Sequence, residues 1–208
     1  MPSTSARGQK PLDLLVLSML FERPMHPYEM VQLAAKRHYD RLVKLRTTSI
    51  YHVVARLGER GLIAVHEVER EGNRPERTVY ELTDAGRAAH RAALEALLAD
   101  VPTEYPQLYL ALAQAHELPL ADAAALLRRR RAAMVDQLAR VTALIEGADE
   151  RGVPEVFRLD GGMRVATLTA QLAWLDDLLD RMDRHDIAWL DDVLRDQNHT
   201  NRLDGMYL

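Results

Sequence analysis

Leu62-Ile63-Ala64-Val65-His66-Glu67-Val68-Glu69, then Glu71-Gly72-Asn73-Arg74-Pro75, then Arg77-Thr78-Val79-Tyr80-Glu81-Leu82: the fold turns on this stretch. Two runs rich in β-branched and aromatic residues flank a short Gly/Asn/Pro turn, the pattern of an antiparallel hairpin. Outward on both sides the period changes to that of helices. Upstream, Leu12, Leu15, Val16, Met19 and Leu20 recur at helical spacing, and Arg23-Pro24 stops the run because proline has no amide to donate. Pro27 is placed to open a second helix running to about His38, with Glu29 in its first turn. Thr47-Thr48-Ser49 reads as a capping cluster for a third helix, whose apolar face is Ile50, Val53, Val54 and Leu57 and whose end is Gly61. Downstream, Thr83-Asp84 is expected to cap a helix from Ala85 to about Leu98. Three helices, a hairpin and a helix, in that order, make a winged helix-turn-helix.

The chain has 208 residues, 48% of them hydrophobic but only 5% aromatic, so its cores are expected to be aliphatic. That is too apolar for disorder and, with 28% charged residues, too polar for a membrane protein. No apolar run approaches the roughly 18 residues of a membrane span, and the first ten residues lack the apolar stretch of a secretory signal. Cysteine is absent, which excludes disulfides, thiolate metal sites and cysteine nucleophiles and fits a cytoplasmic location. The net charge of −4 divides unevenly. Residues 1–90 carry 14 Lys and Arg against 11 Asp and Glu, whereas residues 91–208 carry 13 against 20. Phosphates respond to charge within about a Debye length of 8–10 Å, so an acidic total does not forbid a nucleic-acid partner for the first half.

The second half has another repeat. Leu120, Ala124, Leu127, Arg131, Met134, Leu138, Val141 and Ile145 alternate steps of four and three, and so do Val165, Leu168, Leu172, Leu175, Leu179 and Met182. These are heptad seams, narrower than a globular helix needs. Gly147, Gly152, Pro154, Gly161 and Gly162 between them are expected in a turn. Two such helices could fold on each other or pair with a second copy, and the expectation is a homodimer interface through Leu127, Arg131, Met134, Leu138, Val141, Leu168, Leu172, Leu175 and Leu179. Arg131 in the seam could snorkel or meet an acidic residue of the other long helix such as Asp176, Asp177, Asp180 or Asp183, and the expectation is a salt bridge across the dimer. The chain is thus mostly α: a tail over 1–10, a winged helix-turn-helix over 11–100, a helical dimerisation region over 101–195 and a tail over 196–208.

Leu14-Leu15-Val16-Leu17-Ser18-Met19-Leu20, Pro24-Met25-His26-Pro27-Tyr28-Glu29-Met30 and Ser49-Ile50-Tyr51 form the first motifs of a familiar pattern. Leu57, Gly61-Leu62-Ile63, Asn73 through Tyr80, and Leu82-Thr83-Asp84-Ala85-Gly86-Arg87 complete it. Over residues 12–90 the chain resembles the PadR family of transcriptional regulators. Two positions depart from its usual pattern, Pro27 in place of Gly and Thr47-Thr48 in place of a small turn. The resemblance implies a repressor that binds DNA, with Ser49 and Tyr51 holding the DNA backbone. It also implies release by a small aromatic effector, for which Trp174 would line the pocket, although a plain core role suits Trp174 and Trp189 as well.

From the residues themselves, Thr48, His52 and Arg56 follow one another at i, i+4 and i+8 and are expected to point away from the core. Arg56 could donate two hydrogen bonds to guanine, while Thr48, Ser49 and His52 suit phosphates or base edges. The wing offers Arg70, Asn73, Arg74 and Arg77, which strand alternation could sort away from Glu69, Glu71 and Glu76. Lys44 and Arg46, with Lys36, Arg37 and Arg41, form a basic stretch suited to phosphates. The expected partners are double-stranded DNA with a pseudo-palindromic operator, a second copy of the chain and a small aromatic effector, with no membrane. No metal spacing, glycine-rich phosphate loop or nucleophile elbow is present, so neither a cofactor nor catalysis is expected. The rival function is a protein–protein adaptor, which would make the exposed face of the third helix apolar.

Overall fold

The structure is a computed structural model that describes residues 10–69 and 77–190, in two units divided between Thr103 and Glu104. In the first unit, α1 (Pro11–Glu22), α2 (Pro27–Lys36) and α3 (Thr47–Glu59) precede β1 (Ile63–Glu69), β2 (Arg77–Leu82) and α4 (Asp84–Ala99). The winged helix-turn-helix order is therefore present. Helix α1 is apolar on nearly every side because it is the central post: Val16, Leu17, Met19 and Leu20 are buried against Met30, Ala34, Ile50, Val53, Val54 and Leu57.

Local chemistry sets the ends of these helices. At the start of α2 the His26 ring nitrogen accepts from the Tyr28 amide at 3.0 Å, and the Glu29 carboxylate accepts from the His26 amide at 3.1 Å, a capping box. Helix α3 begins at Thr47, with Arg46 as its N-cap and no side-chain cap. Thr47, Thr48 and Ser49 are thus its first turn rather than its cap. At its other end Gly61 takes φ +68, its amide reaching the Gly58 carbonyl at 2.9 Å and the Leu62 amide reaching Leu57 at 3.0 Å. This is a Schellman motif, in which a left-handed glycine reverses the chain and seats Leu62 in the core.

The two strands pair antiparallel, with Ile63 opposite Leu82 and Val65 opposite Tyr80. A bulge at His66 then shifts the register so that Glu67 faces Val79. Side-chain alternation therefore breaks along β1, and Val65 and Val68 are both about half exposed. A further bridge joins Met25 to Tyr80 through two 3.0 Å hydrogen bonds, fastening the α1–α2 connection to the wing. Thr83 caps α4 by accepting from the Gly86 amide, and its hydroxyl donates to the Gly61 carbonyl at 2.8 Å.

The second unit contains α5 (Gln107–Ala113), α6 (Leu120–Glu150) and α7 (Leu159–Asp183). Helix α5 has seven residues, with no charged one among them, so it carries no periodic signal. Gly161 and Gly162 lie in the first turn of α7 rather than in the connection. A β-carbon on Gly161 would sit 3.0 Å from the end of Ile145, so the small residue lets α7 come close to α6. Gly152, at φ +68, ends α6 by the same motif as Gly61. Among the described residues no helix is long and apolar enough to cross a membrane.

Candidate nucleic-acid interface

Helix α3 presents two faces set by its sequence. Ile50, Val53, Val54 and Leu57 are buried, whereas Thr47, Thr48, Tyr51, His52 and Ala55 are exposed and Ser49 is half-buried. Lys44 and Arg46, both exposed, lie just before the helix, while Leu45 between them packs on the core and holds that segment down. The backbone thus brings Lys44, Arg46, Thr48, Ser49, Tyr51 and His52 to one end of α3. Arg77, also exposed, stands at the start of β2. Arg70, Asn73 and Arg74 lie outside the described residues.

Arg56 departs from the expectation that it points away from the core. Its guanidinium binds the carboxylate of Asp13, which is 1% exposed in the first turn of α1, and Arg60 reaches the other carboxylate oxygen at 3.5 Å. The reason is the cost of an uncompensated charge. Asp13 is buried among apolar neighbours and needs cations, and the near side of α3 supplies them. Stranding a buried partner costs about 3–5 kcal/mol, at the low end where the cation is half exposed as here. In the structure Arg56 is held by Asp13, with Arg60 beside it. The sequence signal for this was a carboxylate set into the first turn of the largely apolar run Leu12 to Phe21.

Two further ties frame α1. Arg37, after α2, makes a two-pronged ion pair with Glu22, 2.8 Å at its longer arm, and a 3.4 Å bond to the Tyr39 hydroxyl. The hydrogen bond from Arg37 holds the Glu22 carboxyl below its usual range, and the same bond raises the guanidinium further. Arg37 is thus engaged within the fold. On the other side of α1, Ser18 Oγ and His90 Nε2 lie 3.0 Å apart, and the rings of Phe21 and His90 stack obliquely at 5.2 Å. Burial lowers the His90 pKa.

The heptad seams of the second unit meet each other within one chain. Met134, Leu168, Leu172, Leu175 and Leu179 are buried in a shared core on which Leu127 and Leu138 pack, and Val141 is half-buried on the same helix. Arg131 binds Asp176 of the same chain, which raises the guanidinium pKa and lowers that of the carboxyl. Within the chain, α6 and α7 thus pair through these residues, while Leu127, Arg131, Leu138 and Val141 stay partly exposed. Trp174 is half exposed on a cavity of about 380 Å³ bounded by α5, α6 and α7, beside Tyr109, Leu127, Arg130 and Met134. Trp189 instead donates its ring N–H to the Leu118 carbonyl at 2.7 Å. No group of side chains suited to a metal ion occurs among the described residues.

Comparison with known proteins follows the same division. Residues 16–92 match the family described as transcriptional regulator PadR-like. No curated protein sequence matches significantly. Among solved structures, PadR of Bacillus subtilis in complex with operator DNA superposes with a TM-score of 0.67 at 16% identity, over 84% of this chain and 98% of that one. The same protein in complex with p-coumaric acid gives 0.66 at 17% identity, over 84% and 99%. The virulence activator AphA of Vibrio cholerae gives 0.63 at 18% identity, over 84% and 99%. At these identities the likeness speaks for the fold, and it extends through the helical second unit.

Proposed function

We propose that this chain, whose residues 16–92 match the PadR-like family of transcriptional regulators, binds a specific DNA sequence, as a homodimer, to repress transcription. The observation that carries the reading is the two-faced α3, packed on α1 by its apolar side and offering Thr48, Tyr51 and His52 outward beside Lys44 and Arg46. A helix so mounted fits the major groove, with its first residues nearest the base edges. Lys44, Arg46, Ser49 and the wing residues Arg70, Asn73, Arg74 and Arg77 supply phosphate and groove contacts. Support for a DNA partner comes also from the B. subtilis relative, whose structure was solved with its operator.

A homodimer would place two copies of α3 on half-sites about 34–36 Å apart if they lie one helical turn from each other. A small aromatic effector fits the cavity at Trp174, where Leu and Met side chains give an apolar floor and the indole a stacking face. The p-coumaric acid complex of the B. subtilis relative supports an effector of that type.

The test is a shift assay with duplex DNA flanking the protein's own gene over a range of salt. Binding should weaken steeply, log K falling by about 0.9 for each phosphate neutralised per decade of salt. Arg74→Ala should weaken all sequences alike. Salt-insensitive binding, or none at low salt, would leave the adaptor reading in its place.

A further inference from the structure

Resting on the reading that α3 enters the major groove, we propose that Asp13 is a positioning residue that withholds Arg56 and Arg60 from the bases. Thr48, Tyr51, His52 and Ala55 are left to read the duplex, with thymine the base their apolar edge recognises. Within α3 the charged side chains are Arg56 and Glu59. Asp13 engages Arg56 together with Arg60, the residue that follows the helix, so the outward face has no cation with which to grip guanine.

What that face does hold is neutral and half apolar. Tyr51 is 43% exposed, Ala55 lies one turn on, and Thr48 and His52 complete the row at i, i+4 and i+7 spacing from Thr48. Thymine differs from every other base in the major groove by its C5 methyl group, and an alanine methyl or a ring edge is the surface that packs against one. Thr48 and His52 add short hydrogen-bonding groups, while Lys44 and Arg46 before the helix are placed for phosphates. Glu59, exposed a turn beyond Ala55, turns phosphates away from the far end, so contact falls on the first two turns.

The experiment separates this inference from the reading beneath it. The full-length chain is used to enrich a preferred duplex from a random pool, and failure to enrich any sequence overturns sequence-specific DNA binding altogether. Given an enriched duplex, each thymine is replaced singly by uracil, which deletes the methyl and nothing else. At contacted positions binding should fall about fourfold, the worth of one buried methyl group. Asp13→Asn should lower the ratio of binding to the enriched over a scrambled duplex about tenfold while leaving scrambled binding unchanged, which loss of folded protein alone cannot do. Arg56→Lys keeps the charge and should select the same sequence as the parent. Uracil duplexes that bind as tightly as thymine ones, an unchanged ratio in Asp13→Asn, or a changed base at one position in Arg56→Lys would each overturn the proposal. If Asp13→Asn does not fold, the uracil series and Arg56→Lys decide.

Discussion

Gly86 shows how little room single positions leave. A β-carbon there would stand 1.9 Å from the Leu62 carbonyl oxygen, a backbone atom fixed by the Thr83 amide that it accepts. Gly86→Ala must push α4 off the start of β1, and a loss of about 3 kcal/mol or more is expected in urea melts, beyond the usual cost of overpacking by a methyl group. Asp13 is as demanding for a different reason. Asp13→Ala leaves Arg56 and Arg60 without their carboxylate, and Arg56→Leu leaves the carboxylate buried beside Arg60 alone. The second change should be the more destabilising, at about 3 kcal/mol, because the exposed partners regain water and the buried one does not. His90 makes the fold sensitive to acid. Burial depresses its folded pKa, so below about pH 6.5 the unfolded chain binds the extra proton first, and stability falls as the pH drops. Denaturant midpoints taken from pH 8 to 5 should decline in the parent and flatten in His90→Gln, which keeps a hydrogen-bonding partner for Ser18.

Among the elements, helix ends were easier to read than helix contents. Gly61 and Gly152 each mark a true terminus because a left-handed residue there is nearly free only for glycine. His185 does the same after α7 at φ +57, donating its amide to Met182 at 3.2 Å, with no sequence sign that it would. His185→Gly should raise stability by about 0.5–1 kcal/mol, seen as a higher melting temperature, since the β-carbon penalty disappears. The hairpin was legible because its residue types and turn are local facts, and β2 spans the expected Arg77–Leu82. The bulge at His66 was not, since only the cross-strand register reveals it. Thr47, Thr48 and Ser49 could as well cap a helix as begin one, and the extended Arg46 settles the matter in three dimensions. Of the candidate interface, the exposed row Thr48 and His52 follows from periodicity alone. The diversion of Arg56 does not, because its cause lies 43 positions away at Asp13.

At the scale of the whole molecule, the heptad seams show the limit of a pattern. A 3.5-residue repeat states that a helix wants a partner and is silent on whose chain supplies it; Gly161, against Ile145, lets α7 be the partner of α6. Leu172→Ala should therefore cost the second unit about 2–5 kcal/mol while leaving the molar mass by light scattering unchanged. A drop in mass instead would return the seam to the subunit interface. Trp174 and Trp189, the chain's two tryptophans, both belong to the second unit. Indole emission therefore reports from the second unit alone, and a compound arriving beside Trp174 should dim or shift it without any attached dye.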